Sequence, residues 1–107
     1  MRIDKLTTKF QQALSDAQSF AVGHDHTSIE AVHVLSALLG QEDGGTASLL
    51  ARSGVNLEPL KAGLKTAIDQ LPKVGESTGE VAISRDLNNL LNLTDKYAQK
   101  QIGRAHV

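Results

Sequence analysis

Apolar residues recur in steps of three and four through most of this 107-residue chain, and that spacing admits little besides amphipathic helices. Leu6, Phe10, Ala13, Leu14, Ala17, Phe20 and Ala21 form the first such face. Gly23 follows as the expected stop, since glycine readily takes the left-handed conformation that closes a helix. Thr27-Ser28-Ile29-Glu30 then reads as a capping box opening a second helix. Its apolar positions, Ile29, Val32, Leu35, Leu38 and Leu39 with Ala31, Val34 and Ala37, cover so much of the circumference that this helix is expected at the centre.

GQEDGG, residues 40–45, interrupts the pattern. Thr46 is expected to cap a short third helix that carries Leu49 and Leu50 and ends at Gly54. Asn56 is expected to cap a fourth, with Pro59 in its first turn, where a missing N–H costs nothing, and Leu60, Leu64 and Ile68 on its buried side. KVGESTGE, residues 73–80, has the polar, glycine-containing composition of a mobile linker. Ser84 then caps a fifth helix with Leu87, Leu90, Leu91, Thr94, Tyr97 and Ala98 to one side. The predicted fold is therefore all-α: a compact array of four helices, a linker, and a fifth helix packing back on the array. The fifth helix also lies on the first at an offset of 77 residues, pairing Phe10 with Leu87, Leu14 with Leu91, Phe20 with Tyr97 and Ala21 with Ala98, the pattern of an internal repeat.

Charge and composition exclude several partners. Lys+Arg total 11 against 12 Asp+Glu, a net charge of −1 that gathers neither nucleic acid nor anionic lipid. Aromatics at 3% offer no stacking platform for single strands. No run approaches the ~18 apolar residues of a membrane span, and MRIDKLTTKF lacks the apolar core of a signal peptide. Cysteine is absent, which removes disulfides and thiol chemistry and fits a reducing compartment, so a cytoplasmic setting is expected, without nucleic-acid or membrane partners.

GHDHTSIEAVH, residues 23–33, crowds three histidines and two acids together. A metal needs three or four converging ligands, and neither H-x-x-x-H nor H-E-x-x-H spacing occurs, so no metal is expected. His24 and His26 instead read as a solvated turn between helices, and His33 as a buried helix residue hydrogen-bonded to neighbouring backbone. No nucleophile elbow, Walker loop or kinase-type glycine loop is present, and GQEDGG lacks the G-K-[ST] ending that holds phosphate. The chain is expected to be non-catalytic and to use no cofactor.

At 100° per residue, Leu87, Leu91, Thr94 and Ala98 share one direction on the fifth helix, while Leu93 falls about 120° away with Tyr97 between. Leu93 and Tyr97 are thus i, i+4 neighbours on a flank the core need not cover. Such a pair either receives an extended apolar segment of another chain or packs on further helices of its own domain, and spacing alone leaves both open.

DKLTTKFQQALSDAQSFAVGHDHTSIEAVHVLSALL, LLARSGVNLEPLK and SRDLNNLLNLTDKYAQK resemble the N-terminal domain of the ClpB-type AAA+ disaggregases, over residues 1 to about 101. MRIDKLT, the GHDH turn and DLNNLLNLTDKYAQK are more similar to that family than to the protease partners ClpA and ClpC. The resemblance implies two similar four-helix repeats, with the first repeat at 1–72, a linker at 73–83 and a partial second repeat at 84–101. IGRAHV, residues 102–107, departs from the family and is what ATC GGA AGA GCA CAC GTC, the start of a common sequencing adapter, would encode; it is read as a non-native tail.

The resemblance further implies a substrate-engagement domain that takes unfolded or aggregated polypeptide into an apolar groove and passes it to downstream AAA+ modules of a hexamer. It implicates Leu91, Leu93 and Tyr97 in that groove and Thr7 beside it as a polar position associated with substrate handling. The family's acidic groove residues beyond position 102 have no equivalent here. The alternative is a docking domain for a folded adaptor, as in ClpA-like or ClpC-like unfoldases.

Overall fold

The computed structural model describes residues 7–74 and 81–105, with side chains through residue 100. Leu6, residues 75–80 of the expected linker, and the last two residues of the expected tail lie outside the described residues. Five helices follow in order: α1 Thr8–Gly23, α2 Ala31–Leu39, α3 Gly45–Arg52, α4 Leu57–Asp69 and α5 Arg85–Ala105. Among the described residues the extended pairings are two isolated bridges, His26 to Lys73 and Ile29 to Ile83, so the fold is all-α as expected. The tail expected from residue 102 begins inside α5.

Local hydrogen bonds account for the helix starts. Asn56 Oδ1 accepts the Glu58 N–H at 3.3 Å and opens α4. Thr7 Oγ1 accepts the Phe10 N–H at 3.2 Å, and Ser84 Oγ accepts the Leu87 N–H at 3.0 Å. The carbonyls of Thr7 and Ser84 then take the Gln11 and Asn88 amides, both at 2.9 Å. Thr7 and Ser84 stand 77 residues apart, so the offset that pairs the apolar faces of α1 and α5 pairs their caps as well.

Three expected boundaries are displaced. Gly23 is not the left-handed stop of α1: that conformation belongs to Asp25, at φ 56°. The Asp25 amide returns to the Val22 carbonyl at 3.1 Å and the His26 amide to the Ala21 carbonyl at 2.9 Å, the two bonds of a Schellman closure. Nor does Thr27 cap α2. Ile29 donates its N–H to the Ala82 carbonyl at 2.9 Å and accepts the Ser84 amide at 3.0 Å, which keeps the chain extended there and moves the N-cap to Glu30. His33 completes that cap, its Nδ1 accepting the Glu30 N–H at 2.8 Å. Finally, α3 begins at Gly45 rather than after Thr46, because Gly44 turns the chain at φ 64° and Asp43 Oδ1 takes the Gly45 N–H at 3.1 Å.

The core joins both sides of the linker. Leu14, Ala17 and Ala21 of α1, Ile29 and Val34, and Val81, Leu87 and Leu91 bury one another. Three alanines four residues apart on α1, Ala13, Ala17 and Ala21, have no exposed surface and let α2 approach closely. Burying Leu87 and Leu91 contributes about 2 kcal/mol each and docks α5 onto α1 and α2. The described ends of the linker are tied down too, since the Val74 amide donates to Asp25 at 2.8 Å while Ile29 pairs with residues 82 and 84.

Candidate functional site: an apolar groove between α2 and α5

A groove of about 590 Å³ runs between the start of α1, one face of α2 and α5. Phe10 comes from α1, Val32, Leu35 and Leu38 from α2, and Leu87, Leu90, Leu91, Thr94 and Ala98 from α5. The all-round apolar surface of α2 now has a cause. Leu39 is buried in the interior and Val34 is buried at the base of the groove, while Val32, Leu35 and Leu38 line the groove and are only half-buried. The helix is central, as its pattern predicts, but it is not enclosed. The lining is apolar apart from Thr7, Thr94 and Asp95. A surface with so few polar groups holds its occupant through buried area and reads little of its sequence.

The four site residues named from the sequence separate into two pairs. Thr7 and Leu91 both line the groove. Thr7 is also the cap of α1, and Leu91 is a buried member of the core at the groove floor. Leu93 and Tyr97 are 52% and 61% exposed and lie outside the groove lining, on the outer flank of α5. Sequence reasoning missed Phe10, Leu35 and Leu38 as groove residues, and it placed Leu90 on the helix face without assigning it to a site. Leu90 is 49% exposed, the most open large apolar side chain in the groove. The usable signal was α2 itself, which carries more apolar circumference than its neighbours can cover.

The histidine cluster differs from its expectation at one position. His26 is not in a solvated turn: it is 2% exposed, because the Schellman closure of α1 folds it back over the helix end. His33 is 1% exposed and bonded to neighbouring backbone, as expected. The two rings meet, with His26 Nδ1 2.8 Å from His33 Nε2. Burial pushes both below the ordinary imidazole value of 6.5. For His26 the charges of His24 and Lys73 add to that, against Asp69 and Asp25; for His33, His26 and His24 add to it, against Glu30. His24 stays exposed, stacked on Phe20 with ring centroids 4.2 Å apart. No three His, Cys, Asp or Glu side chains among the described residues are disposed to hold a metal. No helix among them is long and apolar enough to cross a membrane.

The chain matches the family model of the Clp repeat (R) N-terminal domain over residues 5–107. It is 52% identical to the chaperone protein ClpB of Pseudomonas putida over 101 residues and 46% identical to that of Vibrio cholerae over the same length. Each alignment covers 94% of this chain and 12% of the relative, so the chain spans about an eighth of those proteins. A solved chain from a study of the ATPase ClpV, the TssB-TssC sheath and the accessory HsiE protein of type VI secretion superposes with a TM-score of 0.68 at 27% identity, covering 77% of this chain and 49% of the other. The chain belongs to the Clp repeat N-terminal domain family.

Proposed function

We propose that this chain is a non-catalytic substrate-engagement domain of a ClpB-like ATP-dependent disaggregase and that the α2–α5 groove receives apolar segments of unfolded or aggregated polypeptide. The observation that carries the reading is the groove itself: about 590 Å³, almost wholly apolar, with Leu90 half open to solvent in a family of chaperone N-terminal domains. Burying apolar area yields about 25 cal/mol per Å², from which the ordering of a loose chain subtracts, so binding is weak and tolerant of sequence. Weak capture suits a domain that hands its client on to downstream AAA+ modules. Titration of fluorescently labelled unfolded casein, followed by anisotropy, tests this. Leu90→Asp places a charge in the groove mouth and should weaken binding about tenfold while the helical circular dichroism is retained. Saturable casein binding unchanged by Leu90→Asp would remove the groove from the mechanism.

A second reading uses the outer flank of α5. Leu93 and Tyr97 are exposed there beside Lys96 and Lys100, a mixed surface of the kind that docks a folded partner. Adaptor docking predicts salt-sensitive binding lost in Leu93→Ser/Tyr97→Ser and indifferent to Leu90→Asp.

A further inference from the structure

His26 and His33 are the buried polar side chains among the described residues, and neither lines the groove. Their hydrogen bonds run in one direction. A backbone N–H can only donate, so His33 Nδ1, 2.8 Å from the Glu30 nitrogen, is the acceptor. The neutral ring of His33 therefore carries its proton on Nε2 and donates it to His26 Nδ1 at 2.8 Å. His26 in turn carries its proton on its own Nε2, and that atom is buried without a partner.

Both acceptor nitrogens are thus occupied. An added proton on His26 Nδ1 sets two N–H groups against each other, and one on His33 Nδ1 expels the Glu30 amide that opens α2. The surroundings do little to welcome the charge. Asp25, Glu30 and, from α4, Asp69 face the pair, but Lys73 and His24 oppose them and none of the three acids makes a hydrogen bond to His26 Nε2.

The pair also sits where the chain crosses itself. His26 bridges Lys73, the preceding Asp25 carbonyl holds the Val74 amide, and Ile29 is bonded to Ala82 and Ser84 at the threshold of α5. Helix α5 supplies Leu87, Leu90 and Leu91, one wall of the groove. We propose that His26 and His33 form an acid-released latch: a proton on either ring breaks the bond between them, frees the 25–29 turn from residues 73–74 and 82–84, and loosens α5 from α1 and α2. The latch stands on the geometry of the pair. Its consequence for clients, a weaker hold when the groove wall moves, rests on the function proposed above.

The three amides that tie the turn down report on the latch directly: Ile29, Val74 and Ser84. Hydrogen exchange read by NMR, corrected for the intrinsic pH dependence, should show their protection falling about tenfold between about pH 7.5 and about pH 5, while Ala17 in the middle of α1 keeps its own. In His26→Gln/His33→Asn, the side-chain oxygen introduced at position 33 can still accept the Glu30 amide but neither new side chain titrates, so that response should vanish. Unchanged protection at the three amides in the unaltered protein, or an equal loss at Ala17, overturns the latch, and neither result depends on the variant folding. Casein anisotropy over the same pH range separates the two readings. If the latch opens while binding holds steady, the consequence for clients is overturned and the latch is not.

Discussion

The carbonyl of Ile29 accepts the Ser84 amide at 3.0 Å, so the residue that caps α5 is held by the same turn that carries His26. The groove wall, the histidine pair and the start of α5 are thereby joined through a few backbone bonds between segments more than fifty residues apart in sequence. Several outcomes depend on that junction.

Stability should fall on mild acidification. Both imidazoles are held below 6.5 by burial, so near that pH the unfolded chain takes up protons that the folded chain refuses. The contribution is complete above pH 6.5 and is lost as pH drops from there through the lowered folded values. Urea unfolding followed by circular dichroism should give a lower midpoint at about pH 5 than at about pH 7.5, with a slope of up to about 1.4 kcal/mol per pH unit for each group inside its window. A midpoint that rises on acidification would contradict the direction.

Replacing one histidine should cost little at neutral pH. His26→Leu removes a buried N–H that has no partner but strands the His33 Nε2–H, so one unpaired donor replaces another. The expected change is within about 1 kcal/mol at neutral pH, with a shallower acid dependence, measured by the same urea titrations.

Leu87→Ala should be the costliest change on α5. Leu87 is buried on a helix whose other core anchor is Leu91, and truncation leaves a cavity beside Ile29 and Val34 in the same cluster. A loss of about 2–5 kcal/mol is expected, against less than about 0.5 kcal/mol for the exposed Asn92→Ala, both read as shifts in unfolding free energy.

Two left-handed positions should respond in opposite senses. Asp25 holds φ 56° with a side chain, and Asp25→Gly should relieve about 0.5–1 kcal/mol of that cost. Gly54 holds φ 93° in open space, so Gly54→Ala meets no steric obstacle and should still cost about 1 kcal/mol through the backbone alone. Thermal unfolding of the two variants checks both signs.

Thr7 can be divided into its two roles. Thr7→Ala removes the cap on the Phe10 amide and should cost about 1 kcal/mol, whereas Thr7→Ser keeps the hydroxyl and should cost far less. If casein binding weakens in Thr7→Ala in proportion to stability and survives in Thr7→Ser, the residue acts on clients by starting α1 rather than by touching them.

By itself the sequence determined the five helices, the Asn56 and Ser84 caps and the central place of α2. These features rest on contacts within a turn or two of chain, and residue spacing reports them directly. Only the tertiary structure decided where α2 begins, since the amide of Ile29 could serve a helix or the carbonyl of Ala82, and a partner far along the chain claimed it. The same holds for His26, whose neighbours in sequence are polar and exposed while its neighbours in space close over it. The groove is of this kind as well: α2 advertises more apolar surface than one neighbour needs, but which strip stays open depended on how α5 came to rest against it.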